Sequence, residues 1–159
     1  MSEGSAQGGE GMKKIGNYTC RGKVGTAALG APWRIKLFDG RFDTGYRVTR
    51  FEIAMDDQTQ TNVNLHAKLA TTETLVSSSG SQWNWDDNRE IAWATNDHGA
   101  SVDEQKKYET IDPDNLIVED LYLYPDVNNA TNYLIEMEKY EFTEWRGALA
   151  MVHNYAQNV

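Results

Sequence analysis

Few residues in this chain could do chemistry, and their spacing decides what each could do. Asp43-Thr44-Gly45 is the tripeptide that carries the catalytic carboxylate of aspartic proteases. It occurs once, between two strand patterns, where Asp-x-Gly is ordinary turn chemistry; a second copy would have to come from a dimer. Glu136 and Glu138 fall on one face of a strand pattern with Glu141 opposite, so they could form an acid–base pair, although a solvated strand face is the plainer reading. Asp86, Asp87 and Asn88, or Asp112, Asp114 and Asn115, offer oxygen ligands for calcium, but neither run supplies the bidentate glutamate of a complete loop. His66, His98 and His153 have no metal spacing. The single Cys20 excludes an intramolecular disulfide and a cysteine zinc site, and with no base beside it reads as an inert thiol. Trp83 and Trp85 read as sharing one strand face and, with Trp93, form a stripe that suits core or subunit interface, with a sugar-stacking platform as the alternative. None of these sets makes a catalytic site, so the expectation is a protein without enzymatic activity, metal or cofactor.

The elements that would position these residues follow period two rather than 3.6. Trp33, Ile35 and Leu37 alternate with Arg34 and Lys36, and Asp39-Gly40 then signals a tight hairpin with a short return at Arg41-Phe42. Residues 46–54 read as a strand with Thr49, Phe51 and Ile53 on one face. Val63, Leu65, Ala67 and Leu69 alternate with Asn64, His66 and Lys68, predicting a half-exposed strand whose polar face holds the last three. A short strand is expected over 91–94, a long polar loop over 96–108, and the two strongest strands over 116–124 and 133–142. One helical stripe appears, with Trp145, Ala148, Leu149 and Val152 at i, i+3, i+4 and i+7 behind a Thr143 cap. The expected class is therefore all-β, an antiparallel sandwich or barrel of jelly-roll kind, with one C-terminal helix over 143–155 and an extended N-terminal arm.

Charge and glycine mark that arm. Residues 1–50 carry nine Lys/Arg against four acids, a net of +5, while residues 51–159 carry six against twenty, a net of −14; together they give the −9 of the 159-residue chain. An acidic body repels phosphates and argues against nucleic-acid binding. No stretch approaches the roughly 20 apolar residues of a membrane helix, and the N-terminus has no apolar segment of a secretory signal. Eight of the 13 glycines fall within residues 1–30. Backbone entropy of about 1–2 kcal/mol per residue, with little burial to offset it, predicts that 1–30 is a flexible basic arm ordered by another chain, and 31–159 the body. The expected contacts are Lys13, Lys14, Ile15, Tyr18, Arg21, Lys23, Val24 and Leu29 on the arm, with Trp83 and Trp85 on the body. The density of Trp and Tyr in so small a domain points to a homo-oligomer, a trimer by preference.

Three blocks carry a resemblance: Trp83-Asn84-Trp85-Asp86-Asp87-Asn88-Arg89-Glu90-Ile91-Ala92-Trp93-Ala94, Ile111-Asp112-Pro113-Asp114-Asn115-Leu116-Ile117-Val118-Glu119-Asp120-Leu121-Tyr122, and the ending from Asn132-Tyr133-Leu134-Ile135-Glu136 to Ala156-Gln157-Asn158-Val159. Over residues 33–159 the chain resembles uncharacterised structural proteins of marine tailed bacteriophages. The resemblance implies a small protein located in the virion and transfers no catalytic residue. A capsid decoration or minor capsid protein, bound to copies of itself and to the major capsid protein, is the expected role. The alternatives are a tail-tube or head–tail connector subunit and, on the tryptophan stripe, a carbohydrate-binding module.

Overall fold

Alternating apolar side chains need a second layer to cover them, and here strands supply both layers. The computed structural model describes residues 12–25, 31–75, 77, 79–101, 103–125 and 128–142. Its strands are β1 (Met12–Val24), β2 (Trp33–Ile35), β3 (Thr44–Met55), β4 (Val63–Ala70), β5 (Glu90–His98), β6 (Gln105–Ile111), β7 (Leu121–Tyr124) and β8 (Thr131–Phe142). They form a three-stranded sheet in the order β1-β8-β3 and a five-stranded sheet in the order β2-β7-β4-β5-β6, with every pairing antiparallel. The core lies between them. Val48, Phe51, Ile53 and Met55 of β3 and Ile135 and Met137 of β8 meet Leu65, Ala67 and Leu69 of β4, Ala92 and Ala94 of β5, and Leu121 and Leu123 of β7.

This corrects the expected class. The described residues contain no helix, and their core is formed between the two sheets. The span expected to be helical, 143–155, lies outside the described residues. The N-terminal expectation changes as well. Met12–Val24 is not an arm awaiting another chain; it is a 13-residue strand paired to β8 of its own chain, from Met12 opposite Phe142 to Val24 opposite Thr131. The cross-strand ladder to β8 and a large partner ring offset the backbone entropy that glycine costs. At Gly22, opposite Tyr133, an added Cβ would lie 2.8 Å from the tyrosine hydroxyl, so the glycine makes room for that ring.

Several local expectations shift for identifiable reasons. A bulge between Val48 and Arg50 changes the phase of β3, exposing Thr49 and turning Val48 inward with Phe51. Gly40 has φ +85° as a turn requires, but Arg41 and Phe42 form no return strand, and β2 pairs with β7 instead. The expected loop over 96–108 contains the end of β5 and the start of β6, an edge strand exposed at Gln105 through Glu109. Of the strand expected over 116–124, only Leu121–Tyr124 pairs in the sheet, and Ile117 makes an isolated bridge to Tyr46.

Asp120 explains the interruption. Its carboxylate accepts the Leu37 and Phe38 amides at 2.9 and 3.1 Å and Arg34 Nε at 2.7 Å, tying the turn after β2 to the entry of β7. Burial alone would raise its pKa, but the two amides and the Arg34 guanidinium hold it below the usual carboxylate range. A depressed folded pKa contributes stability above the unfolded value of about 4, and that stability is lost as pH falls through the folded pKa. Asp120→Asn is expected to cost about 1–3 kcal/mol at pH 7 and to flatten the decline in stability on acidification, as read by urea unfolding across pH. An unchanged pH slope would count against this role.

Candidate interaction surface

On the outer face of the five-stranded sheet, Lys68 of β4 stands opposite Trp93 of β5 and Tyr124 of β7. Period two places Lys68 on a face expected to be solvated, yet it is fully buried. The cover is the connection from β4 to β5, residues 71–89. Lys68 Nζ donates to the Ser77 and Gln82 carbonyls at 2.9 and 2.6 Å and to Glu90 Oε2 at 2.9 Å, and it lies 5.6 Å from the Tyr124 ring centroid. Glu90 Oε1 accepts the Asn84 amide at 2.8 Å and the Trp93 indole N–H at 3.1 Å, while Oε2 also accepts Asn84 Nδ2 at 3.0 Å. Three donors on the ammonium and both carboxylate oxygens are thus satisfied, which is what a buried ion pair requires. The pair clamps the connection onto the sheet.

Gly80 completes the docking. It approaches the sheet so closely that an added Cβ would lie 2.3 Å from the Tyr124 carbonyl oxygen, 2.8 Å from that of Pro125 and 2.9 Å from that of His66. Its amide donates to the Pro125 carbonyl at 3.2 Å, and its own carbonyl accepts the Trp83 indole N–H at 2.8 Å.

The clamped segment carries an aromatic ledge. Trp83 lies in irregular chain and Trp85 in a turn, neither on a strand, and they do not act as one stripe. Trp83 stacks on Tyr108 of β6 with centroids 6.0 Å apart and planes at 21°, whereas Trp85 rests on Trp93 at 5.8 Å and 58°. Trp93 is buried; Trp85 is 63% exposed and Tyr108 46%. The sequence pointed to Trp83 and Trp85 but missed Lys68, Glu90 and Tyr108. The signal was present in 91–94: an unbroken apolar run in a short strand marks cover on both faces, and that cover extends to its neighbour β4.

The arm candidates occupy β1. Lys13, Lys14, Ile15, Tyr18, Arg21 and Lys23 are exposed, while Val24 is fully buried in the core and so is not a contact for another chain. Leu29 lies outside the described residues. Tyr18 meets Tyr46 edge-on at 5.9 Å. The β1 residues and the tryptophans sit on different sheets, so they do not form one patch. Burial pushes the Cys20 thiol up, tempered by a hydrogen bond from Tyr133, consistent with an unreactive sulfur.

Several of the carboxylates singled out in the sequence are tied to cations. Arg41 forks onto both oxygens of Asp43 at 2.7 Å, and Arg89 holds Asp87 in the same way at 2.9 and 2.8 Å. Glu136 accepts Arg50 at 3.1 Å. The Tyr140 hydroxyl and the Lys14 ammonium hold the Glu138 carboxyl below the usual range. Asp112 accepts the Asp114 amide within its turn. Among the described residues no group of three or more His, Cys, Asp or Glu is placed to hold a metal. The geometry offers contact surfaces, a rigid aromatic ledge on one sheet and a basic strand on the other. No protein-family model, curated protein or solved structure matches the chain.

Proposed function

We propose that this is a structural protein of a tailed-phage particle, a capsid decoration or minor capsid protein that acts by joining surfaces rather than by converting a substrate. The observation that carries the reading is Trp85: an indole 63% exposed, supported by Trp93, on a segment fixed by the buried Lys68–Glu90 pair. A large aromatic presented on a rigid support loses little entropy on contact, which is how interface anchors work. The resemblance over residues 33–159 to phage structural proteins supports the same reading, and the partners expected for that role are copies of this chain and the shell protein. Many copies on a symmetric shell let weak contacts add.

The test is attachment to particles. Labelled protein incubated with purified particles is expected to decorate the shell in electron micrographs, and Trp85→Ala to detach at least about tenfold faster. Label on the tail would favour the tail-tube or connector alternative, and no label anywhere would end both. The exposed ring also favours a second reading, carbohydrate binding by stacking. Glycan-array binding that Trp85→Ala abolishes would establish it in place of the first.

A further inference from the structure

Strand β1 ends the three-stranded sheet, and among the described residues its only strand partner is β8. Its other edge presents backbone N–H and C=O groups along 13 residues, well beyond the usual five or six of a strand. Edges of this kind are commonly blunted by bulges and lysines, and here the irregularity around Ile15 and two of the three lysines, Lys13 and Lys14, sit at the start of the strand. Over residues 16–24 the register with β8 runs without a shift, and Gly16-Asn17-Tyr18-Thr19-Cys20 carries no charge.

The charge on this strand decides what can pair with it. Met12–Val24 holds Lys13, Lys14, Arg21 and Lys23 and no acid, in a chain whose net charge is −9. Lys14 is engaged by Glu138, whereas Arg21 and Lys23 make no ion pair among the described residues. Both line a shallow depression of about 470 Å³ on the outer face of the sheet, with Asn132 and Leu134 in its floor. Its one acid, Glu52, is already bonded to Arg50 and Lys107. Pairing β1 with β1 of a second copy would set four positive charges against four, which like-charge repulsion disfavours.

We propose that the free edge of β1 over residues 16–24 takes up an acidic, extended segment of a partner protein as a fourth strand of this sheet. Main-chain hydrogen bonds supply the affinity. Alternate side chains of the added strand meet Arg21 and Lys23 on the outer face and the half-exposed Tyr18 on the other. Such a partner is defined by its charge and extended form alone, wherever the protein is found.

The probe is a fluorescent peptide of about ten residues, alternating threonine and valine with two glutamates at each end. It is titrated into the full-length protein at low salt. Saturable binding is expected, with slowed hydrogen exchange at the amides of residues 16–24. Arg21→Glu with Lys23→Glu, both exposed, is expected to weaken binding at least about tenfold, and raised salt to weaken binding to the unaltered protein. The double variant is first checked for an unchanged circular dichroism spectrum. Peptides with lysine for glutamate, or with two central prolines, are expected not to bind. The proposal is overturned if the acidic peptide does not bind, if acidic and basic peptides bind alike, or if the double reversal leaves affinity unchanged. Binding that leaves the amides of 16–24 exchanging as before overturns it too. So does protection of those amides before peptide is added, since the edge would then be covered by this chain or a second copy.

Discussion

Lys68→Met is expected to remove about 3–5 kcal/mol of stability, much of what a domain of this size holds. The substitution fits the space, so the loss is electrostatic. Glu90, with no exposed side-chain surface and bonded to Asn84 and Trp93, would lose the one cation that forms an ion pair with it among the described residues. The Ser77 and Gln82 carbonyls would lose their donor in the same step. Lys68→Met combined with Glu90→Gln should recover part of the loss, because no unpaired charge then remains, and the shortfall from additivity measures the pair. Urea unfolding followed by tryptophan fluorescence reads both numbers. A single variant within about 1 kcal/mol of the parent would mean that water reaches Glu90 and that the clamp does not exist as described.

Gly80→Ala should have the next largest effect, about 3 kcal/mol, and for a steric reason. The three atoms nearest the new Cβ are all backbone oxygens, at 2.3 to 2.9 Å, so no side-chain rotation can relieve the clash. Either the connection lifts or the end of β7 moves. Lifting breaks the bond from Trp83 to the Gly80 carbonyl and unstacks Trp83 from Tyr108, so the near-ultraviolet dichroism of the tryptophans should weaken with the stability. Gly25→Ala is the control, since among the described residues nothing lies within 4 Å of its added Cβ. Equal effects at the two glycines would show that backbone entropy, not the close approach, governs position 80.

The sequence made the strands of the core legible because the faces of β4 and β8 obey simple alternation. It failed wherever one residue changed the rule. The extra residue at Thr49 shifted the phase of β3, and Asp120 stopped a strand that its apolar flanks seemed to continue. In β1, glycine looked like looseness because the partner ring of Tyr133 is 111 residues away in sequence. The candidate surface was half legible. Trp83 and Trp85 stood out by type, but the separation of their ring partners and the burial of Lys68 depend on where residues 71–89 fold back, which no local pattern encodes. Lys68 also shows the limit of reading polarity as exposure: a satisfied buried lysine and a solvated one occupy the same place in the alternation.

The register of β1 on β8 has a mechanical consequence. Met12 lies opposite Phe142, so both ends of the described chain leave the sheet at the same cross-strand pair. A force applied between those two points would load the rungs of the ladder in succession, as in a zipper, with only one or two resisting at any moment. A force that slid β1 along β8 would meet all the rungs together. Tension applied at Met12 and Phe142 would therefore peel β1 away at low load while the five-stranded sheet, which bears none of that pull directly, stayed whole.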